Sequence, residues 1–340
     1  MKGRQIILDH LEGREAAALM VDGRLQDLLV DGDGPRPGTV YRAIADRPVK
    51  GQGGMFLRTP EGSVFLRQIR GLSPGQPLLV QVTGHAEPGK AVPVTQKILF
   101  KSRYAIVTPE APGLNVSRTI KDEEERERLL EIAHEVMEGS DMGLILRSAC
   151  AGAGAGEIAE DIAEMRALAE TAAADPEGEA EVLTTGDGPH VLAWRDWTDP
   201  AEVETAPGGF ERHGVLDEIE ALRGAYVPLA QGAGIYVEPT RALVAVDVNT
   251  GGDTSPAAGH KANIAAAREL PRQLRLRGLG GQITLDLAPM PKKERRSFES
   301  ALRAAFRGDE VETVFAGWTP LGHYELQRKR ARVPVLEVLS

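Results

Sequence analysis

Cysteine is almost absent from the sequence: Cys150 is the only one in 340 residues. A single thiol excludes an internal disulfide and any zinc site built from a pair of cysteines. Long apolar runs are also missing, since no stretch approaches the roughly 18 consecutive apolar residues of a membrane-spanning helix. The apolar run at the start is short and turns acidic at Asp9, so we expect no secretory signal and a cytoplasmic protein.

The net charge of −10 argues by itself against a polyanionic partner, but the charges are unevenly distributed. Residues 266–340 carry 14 lysines and arginines against 9 aspartates and glutamates, whereas residues 1–265 carry 26 against 41. A basic segment behind an acidic one is what a local nucleic-acid site would need. On charge alone, a solvated helix face explains it equally well.

Short apolar runs separated by turn residues dominate the first hundred positions. Residues 4–31 predict two or three strands, with Asp22-Gly23 as a hairpin turn. Residues 38–100 hold several further runs punctuated by glycine and proline. These runs predict a small β-barrel, either of the oligonucleotide-binding type or of another five-stranded type.

The middle of the chain changes to a helical pattern. Residues 122–137 and about 157–172 predict helices, and a strand is expected at 143–146 between them. Residues 173–209 show little pattern.

A strand, a helix and a second strand follow in the last third of the chain. The strands are expected at 242–247 and 282–286, and the helix over 262–277, ending at the C-cap Gly278. This order predicts a parallel βαβ unit, and a basic helix over 291–306 comes next.

Each strand of this unit ends in an aspartate, Asp247 in the first and Asp286 in the second. Parallel strands bring their C-terminal ends to the same edge of a sheet, so we expect the two carboxylates to lie close together. Their repulsion would be relieved by a hard divalent cation with oxygen ligands, and Asn249 could add a neutral oxygen or hold a water molecule. The pattern indicates a magnesium phosphodiester site. Aspartates that merely cap the following turn are the alternative.

Cationic side chains are concentrated around this unit, where the phosphates of a bound strand would need neutralising. They are Arg272, Arg275, Arg277, Lys292, Lys293, Arg295 and Arg296.

The arginine-rich run over residues 272–281, RQLRLRGLGG, resembles the core of the ribonuclease E/G family. The other matching segments are Val246-Asp247-Val248-Asn249-Thr250-Gly251, Asn263, Leu285-Asp286, Val116-Ser117-Arg118, residues 143–149 and residues 324–330. The resemblance covers most of the chain and is weakest over about 173–209.

This resemblance implies an α/β fold. It consists of a ribonuclease H-like framework with an inserted S1 barrel of the oligonucleotide-binding type, a 5′-phosphate-sensing segment and a DNase I-like nuclease subdomain. The boundaries that we expect are 1–36 with 173–228 for the ribonuclease H-like subdomain, 37–101 for the barrel, 102–172 for the sensor segment and 229–340 for the catalytic subdomain.

The family's activity implies a magnesium-dependent endoribonuclease, with Mn²⁺ as a substitute, acting in RNA processing or decay. It would cleave single-stranded A/U-rich RNA by metal-activated water and leave a 5′-phosphate and a 3′-hydroxyl. Asp247 and Asp286 match the metal-binding aspartates, Asn249 the supporting asparagine, and Arg147 with Ser148 the pair that senses a 5′-monophosphate. The RNA-contacting positions implied are Phe65, Lys90, Arg118, Arg328, Lys329 and Arg330.

Several departures qualify this assignment. The loop between Asn249 and Asn263 is shorter than expected for the family, Pro289 stands where an acid is usual, and Ser148 replaces threonine. No Cys-x-x-Cys follows Arg330, so we expect no zinc, and a monomer or dimer rather than a zinc-linked tetramer. An RNA-binding paralogue with weak or no cleavage is the main alternative, and a DNA nuclease is the third.

Overall fold

The structure is a computed structural model that describes residues 3–49, 53–67 and 71–339. The strands are β1 (Arg4–Leu11), β2 (Arg14–Val21), β3 (Arg24–Val30), β4 (Val40–Val49), β5 (Gly54–Thr59), β6 (Gly62–Leu66), β7 (Pro77–Val82), β8 (Val92–Thr95), β9 (Phe100–Lys101), β10 (Ala105–Thr108), β11 (Leu114–Val116), β12 (Gly143–Leu146), β13 (Glu181–Thr184), β14 (Glu202–Glu204), β15 (Tyr226–Pro228), β16 (Gly234–Pro239), β17 (Val244–Asn249), β18 (Gly281–Asp286), β19 (Thr313–Trp318) and β20 (Tyr324–Arg328). The helices are α1 (Glu123–Val136), α2 (Ala155–Ala173), α3 (Pro189–Asp196), α4 (Gly209–Arg212), α5 (Val215–Ala221), α6 (Ala258–Leu276), α7 (Arg295–Ala305) and α8 (Val335–Val338).

The chain divides into two compact units. The first, which we call the terminal unit, comprises Met1–Gly32 and Ala201–Ser340, and the second, the central unit, comprises Asp33–Pro200. Across the described residues, no helix combines the length and the apolar character that a membrane span requires.

The central unit contains the predicted barrel. Strands β4, β5, β6, β8 and β7 pair in that order, and β7 pairs back with β4, so the five strands close on themselves. Alternate side chains such as Tyr41, Leu57 and Val80 fill the interior. This arrangement confirms the prediction of a small, oligonucleotide-binding-like barrel, and β13 adds to β4 outside it.

Helices α1 and α2 pack on a second sheet of the central unit, which has the strand order β11-β12-β10-β9. Helix α1 begins after Asp122, whose carboxylate accepts hydrogen bonds from the backbone N–H groups of Glu124 and Glu125. Glutamates in the first turn also suit the positive end of the helix dipole. Both predicted helices and the strand between them are confirmed, while the pattern-poor segment forms β13, α3 and β14.

The terminal unit contains two sheets. The smaller has the order β14-β1-β2-β3, and residues such as Ile7 and Leu25 pack against apolar side chains of α4, α5 and α8. The larger has the order β15-β16-β17-β18-β20-β19, with β17 and β18 parallel as predicted.

Helices α6 and α7 cover one face of the six-stranded sheet, where Leu270, Phe298 and Leu302 contribute to the core. The chain leaves α6 through Gly278, whose φ of +66° confirms the predicted C-cap. A Cβ there would lie 1.9 Å from the carbonyl oxygen of Val333, so only glycine fits.

Three elements of the terminal unit have boundaries that differ by a few residues from the predicted ones. The first strand of the βαβ unit is Val244–Asn249, so it runs past Asp247 rather than ending there. Helix α6 begins at Ala258, four residues before the predicted start. The basic helix starts as a 3-10 turn at Lys292–Glu294 before α7 begins.

Candidate active site

Asp247 and Asp286 are direct neighbours in the six-stranded sheet. They are register partners on the parallel strands β17 and β18. Because side chains alternate along a strand, Val246, Val248 and Leu285 enter the core, and both aspartates point to the opposite face. Asn249, two residues after Asp247 on β17, lies on the same exposed face. The structure therefore brings together the three residues predicted to carry the chemistry.

The carboxylates of the pair are open to solvent and lightly partnered. The Asp286 side chain is 68% exposed, and the Nε2 of His323 lies 3.6 Å from its Oδ1. Among the described residues, no lysine or arginine forms an ion pair with either aspartate. Sequence reasoning missed His323, which becomes visible only because Tyr324 pairs with Leu285 and places the preceding residue beside Asp286.

Asn249 starts the loop that leads to α6. Its Oδ1 accepts a hydrogen bond from the backbone N–H of Gly251 at 2.8 Å, which forms an Asx turn. Asp253 in the same loop accepts from the backbone N–H of Ser255 and lies 3.8 Å from the ammonium of Lys261. The hydrogen bond from Ser255 lowers the pKa of the Asp253 carboxyl. The shorter loop is thus held by its own side chains.

The donor set at this face suits a hard cation. It offers two carboxylates and one amide oxygen. Within the described parts of the chain, no group of three or more His, Cys, Asp or Glu side chains is placed to hold a metal ion, so a site made entirely of protein ligands is not found there. Mg²⁺ is bound in proteins through one or two carboxylates while it keeps several water or phosphate ligands. The residues present therefore fit Mg²⁺.

The arginine-rich motif has a different role from the one predicted. Arg272 is buried and donates to the carbonyl oxygen of Leu25 at 2.6 Å and to the Glu269 carboxylate at 2.7 Å. Arg277 is buried as well, and its guanidinium donates to the carbonyl oxygens of Leu222 and Gly224. Burial lowers the pKa of both arginines. The prediction that these two neutralise RNA phosphates is wrong, because their donors are used inside the terminal unit.

Arg275 and Arg328 share the carboxylate of Asp309, whose side chain is fully buried. Arg275 pairs with it at 2.8 Å and Arg328 at 3.0 Å. Arg328 is itself buried and also donates to the hydroxyl of Thr313. We therefore correct the prediction of RNA contact for Arg328, and Arg275 is largely enclosed by the same network.

Six of the cations predicted to contact RNA do reach the surface, while Arg295 and Arg330 are half-buried. The exposed ones are Lys90, Arg118, Lys292, Lys293, Arg296 and Lys329. Lys90 forms an ion pair with Glu87 on the barrel. These side chains remain predicted RNA contacts.

Arg147 lies at the end of β12, and its guanidinium is enclosed. It pairs with Asp196 at 2.8 Å and donates to the carbonyl oxygens of Ser102 and Arg195, which leaves the side chain 14% exposed. Burial would raise the pKa of Asp196, but Arg195 and Lys101 outweigh it and hold that pKa well below its usual range. Ser148, by contrast, is exposed.

Phe65 lies on the outside of the barrel and not in its core, which contains its neighbours Val64 and Leu66. Its ring centre is 5.3 Å from that of Phe56, the register partner on β5. The guanidinium carbon of Arg47 lies 5.0 Å from the centre of the Phe56 ring. Sequence reasoning missed Phe56 and Arg47, although Phe56 alternates with two core residues.

Comparison with known proteins matches a large part of this chain, including the strands that carry the two aspartates. The model of the Ribonuclease E/G family matches residues 100–199 and 201–331. Ribonuclease G of Escherichia coli (strain K12) is 30% identical over 307 residues, which cover 78% of this chain and 62% of that protein. Ribonuclease E of a Nostoc species is 26% identical over 395 residues, which cover 99% of this chain and 57% of that protein.

The chain belongs to the ribonuclease E/G family. It spans about three fifths of the length of the curated relatives that it matches. Asp247, Asn249 and Asp286 all lie inside the matched segments.

Proposed function

We propose that this chain is an endoribonuclease that cleaves single-stranded, A/U-rich RNA with Mg²⁺, or Mn²⁺ in its place, during RNA processing or decay. The observation that carries the proposal is the register pairing of Asp247 with Asp286 on an open sheet face, in a member of the ribonuclease E/G family. A protein that only bound RNA would gain nothing from two exposed carboxylates where phosphates must approach.

The two aspartates would bind the cation through carboxylate oxygens. When bound, Mg²⁺ would stabilise charge on the scissile phosphate and make a water molecule more acidic. Asn249 has its Oδ1 fixed by Gly251, and its Nδ2 has no acceptor among the described residues. That N–H group would orient the phosphate or the water by donating a hydrogen bond. The products would carry a 5′-phosphate and a 3′-hydroxyl.

The remaining family assignments belong to the same proposal. The sheet β14-β1-β2-β3 would correspond to the ribonuclease H-like framework and the six-stranded sheet to the DNase I-like subdomain. RNA would contact Phe65 and Lys90 on the barrel and the exposed Arg118, Lys292 and Lys329. Ser148 would contact a 5′-monophosphate beside Arg147, whose guanidinium, held by Asp196, would mainly shape the pocket.

The decisive experiment compares the unmodified protein with Asp247→Asn on a 5′-monophosphorylated A/U-rich oligonucleotide in Mg²⁺. We expect cleavage by the unmodified protein and a loss of roughly 100-fold or more in the variant, because metal-borne charge stabilisation amounts to several kcal/mol. RNA binding in EDTA should be similar for both. Tight binding without cleavage by the unmodified protein would establish the RNA-binding alternative, and equal cleavage of the matching DNA would establish a DNA nuclease.

A further inference from the structure

Two tyrosines extend the row of exposed residues that contains the carboxylate pair. Tyr226 on β15 is the register partner of Tyr236 on β16, Tyr236 is the partner of Asp247 on β17, and Asp247 is the partner of Asp286 on β18. Neighbouring strands are about 4.8 Å apart. The two aromatic side chains therefore begin about one and two strand spacings from the first aspartate.

Both rings lie on the open face of the sheet. Their neighbours along the strands, Val227, Ile235 and Val237, are buried in the core, so alternation directs the tyrosines to the other side with Asp247. Tyr226 is 47% exposed and Tyr236 is 39% exposed. Exposed aromatic surface of this size, next to a predicted site, needs an explanation.

The two rings are held in place by contacts beneath and beside them. Their centres are 5.2 Å apart, and the planes are inclined by 52°. The ring of Tyr226 lies over Gly234, where a Cβ would come within 2.3 Å of a ring carbon. The glycine thus makes room for the ring. Neither phenol hydroxyl has a hydrogen-bond partner among the residues that the structure describes, so both remain available to a ligand.

We propose that Tyr226 and Tyr236 form a stacking platform for a nucleobase next to the scissile phosphate, and this inference rests on the proposed function. Aromatic side chains stack on any base, because every base has a π-face. In a duplex that face is covered by the neighbouring pairs, so the platform selects an unpaired nucleotide. Tyr226 and Tyr236 are thus specificity-determining residues for single-stranded RNA.

The charges on this face explain why the protein should contact a nucleobase of the RNA here and not a phosphate. The exposed face around the tyrosines carries Asp247, Asp286 and Glu238, all of which repel phosphates when no cation is bound. Stacking on neutral rings provides affinity that this repulsion does not reduce. The platform would hold the nucleotide while the carboxylates are kept for the cation.

Binding is best measured in the Asp247→Asn background, where cleavage does not interfere. Single-stranded oligonucleotides would carry 2-aminopurine at successive positions on either side of the cleavage point. We expect quenching of the 2-aminopurine fluorescence at one position, where the base stacks. Tyr226→Ala and Tyr236→Ala should abolish that quenching and raise the Kd about tenfold or more, whereas Tyr226→Phe and Tyr236→Phe should retain it.

The matched control is Val314→Ala. Val314 is an exposed apolar residue on the same face of the same sheet, but it lies on β19 at the opposite edge. Its substitution should change neither quenching nor Kd. A second control uses RNA with an abasic site at the quenched position, which should weaken binding to the unmodified platform and cause no further loss in the alanine variants.

The outcomes separate the platform from the proposed function. Quenching that disappears in the alanine variants supports the platform, even if the unmodified protein does not cleave. Cleavage by the unmodified protein, with alanine variants that bind and cleave equally well, overturns the platform and leaves the endoribonuclease in place. Thermal unfolding checks that each variant folds. If an alanine variant does not, the leucine variant at the same position provides the test, and unchanged quenching there overturns the platform.

Discussion

Asn263 and Ala288 are joined by two hydrogen bonds within the terminal unit. The Asn263 Nδ2 donates to the Ala288 carbonyl oxygen at 2.8 Å, and its Oδ1 accepts from the Ala288 backbone N–H at 2.9 Å. Asn263 is fully buried on α6, and Ala288 lies two residues after Asp286. The helix of the βαβ unit therefore fixes the backbone that follows the second aspartate.

Asn263→Ala would leave both backbone groups of Ala288 without a partner. We expect the free energy of unfolding to fall by about 1–3 kcal/mol and kcat to fall with little change in the Kd for RNA, because Asp286 would be less well positioned. Denaturant titration and single-turnover cleavage measure the two effects. Arg268→Ala, an exposed change on the same helix, is the control. An unchanged kcat at reduced stability would show that Asn263 is structural only.

Asp286→Asn should raise the Mg²⁺ concentration needed for half-maximal cleavage, because one anionic ligand becomes neutral. A rise of about tenfold or more corresponds to the loss of about 1.4 kcal/mol of cation binding. The measurement is a Mg²⁺ titration of the initial cleavage rate. Gln282→Ala, an exposed position on the same strand and face, should leave the titration unchanged. If both variants behave alike, Asp286 does not bind the cation.

Arg328 and Lys329 are adjacent in sequence but should respond oppositely to alanine substitution. Arg328→Ala removes one of the two cations that contact the buried Asp309, and we expect a loss of about 3 kcal/mol of stability. Lys329→Ala should change stability by no more than about 0.5 kcal/mol, since the side chain is exposed. Lys329→Ala should instead weaken RNA binding and reduce the slope of the logarithm of the RNA-binding constant against the logarithm of the salt concentration by about one. An equal loss of stability in both variants would contradict this assignment.

Asp27 should make stability depend on pH in the acid range. Burial alone would raise its pKa, but the guanidinium groups of Arg332 and Arg275 outweigh it and hold the pKa of the folded state below its usual value. The stabilisation is complete above the unfolded pKa of about 3.9 and is lost as the pH falls through the lower folded pKa. The stability difference between the unmodified protein and Asp27→Asn, measured by urea unfolding, should be largest at pH 7 and should shrink steadily as the pH falls below about 3.9. A constant difference would refute the linkage.

Cys150 should be unreactive in the folded protein. Its thiol is buried, donates to the carbonyl oxygen of Tyr104 at 3.2 Å, and has a pKa raised to about 12 by burial. At neutral pH almost no thiolate is present. A thiol reagent should therefore label the protein only after denaturation. Rapid labelling of the native protein, at the rate of the unfolded one, would contradict the burial.

The sequence predicted much of the local structure because periodicity and turn residues act over short distances. Helix α1, strand β12 and the C-cap at Gly278 follow directly from apolar spacing, an acidic first turn and a glycine. The parallel pairing of β17 with β18 followed from the strand–helix–strand order. Residues 173–209 could not be read, because β13 is stabilised mainly by pairing with the distant β4.

By itself, the sequence determined which residues could hold a cation and that two aspartates on neighbouring strands belong to one βαβ unit. Only the tertiary structure decided which cations reach solvent. Arg272, Arg277 and Arg328 are buried because partners far away in the chain, such as Leu25, Leu222 and Asp309, accept their hydrogen bonds. It likewise decided that tyrosines from two other strands lie in line with the carboxylates. Strand neighbours are set by long-range backbone pairing, which no local pattern encodes.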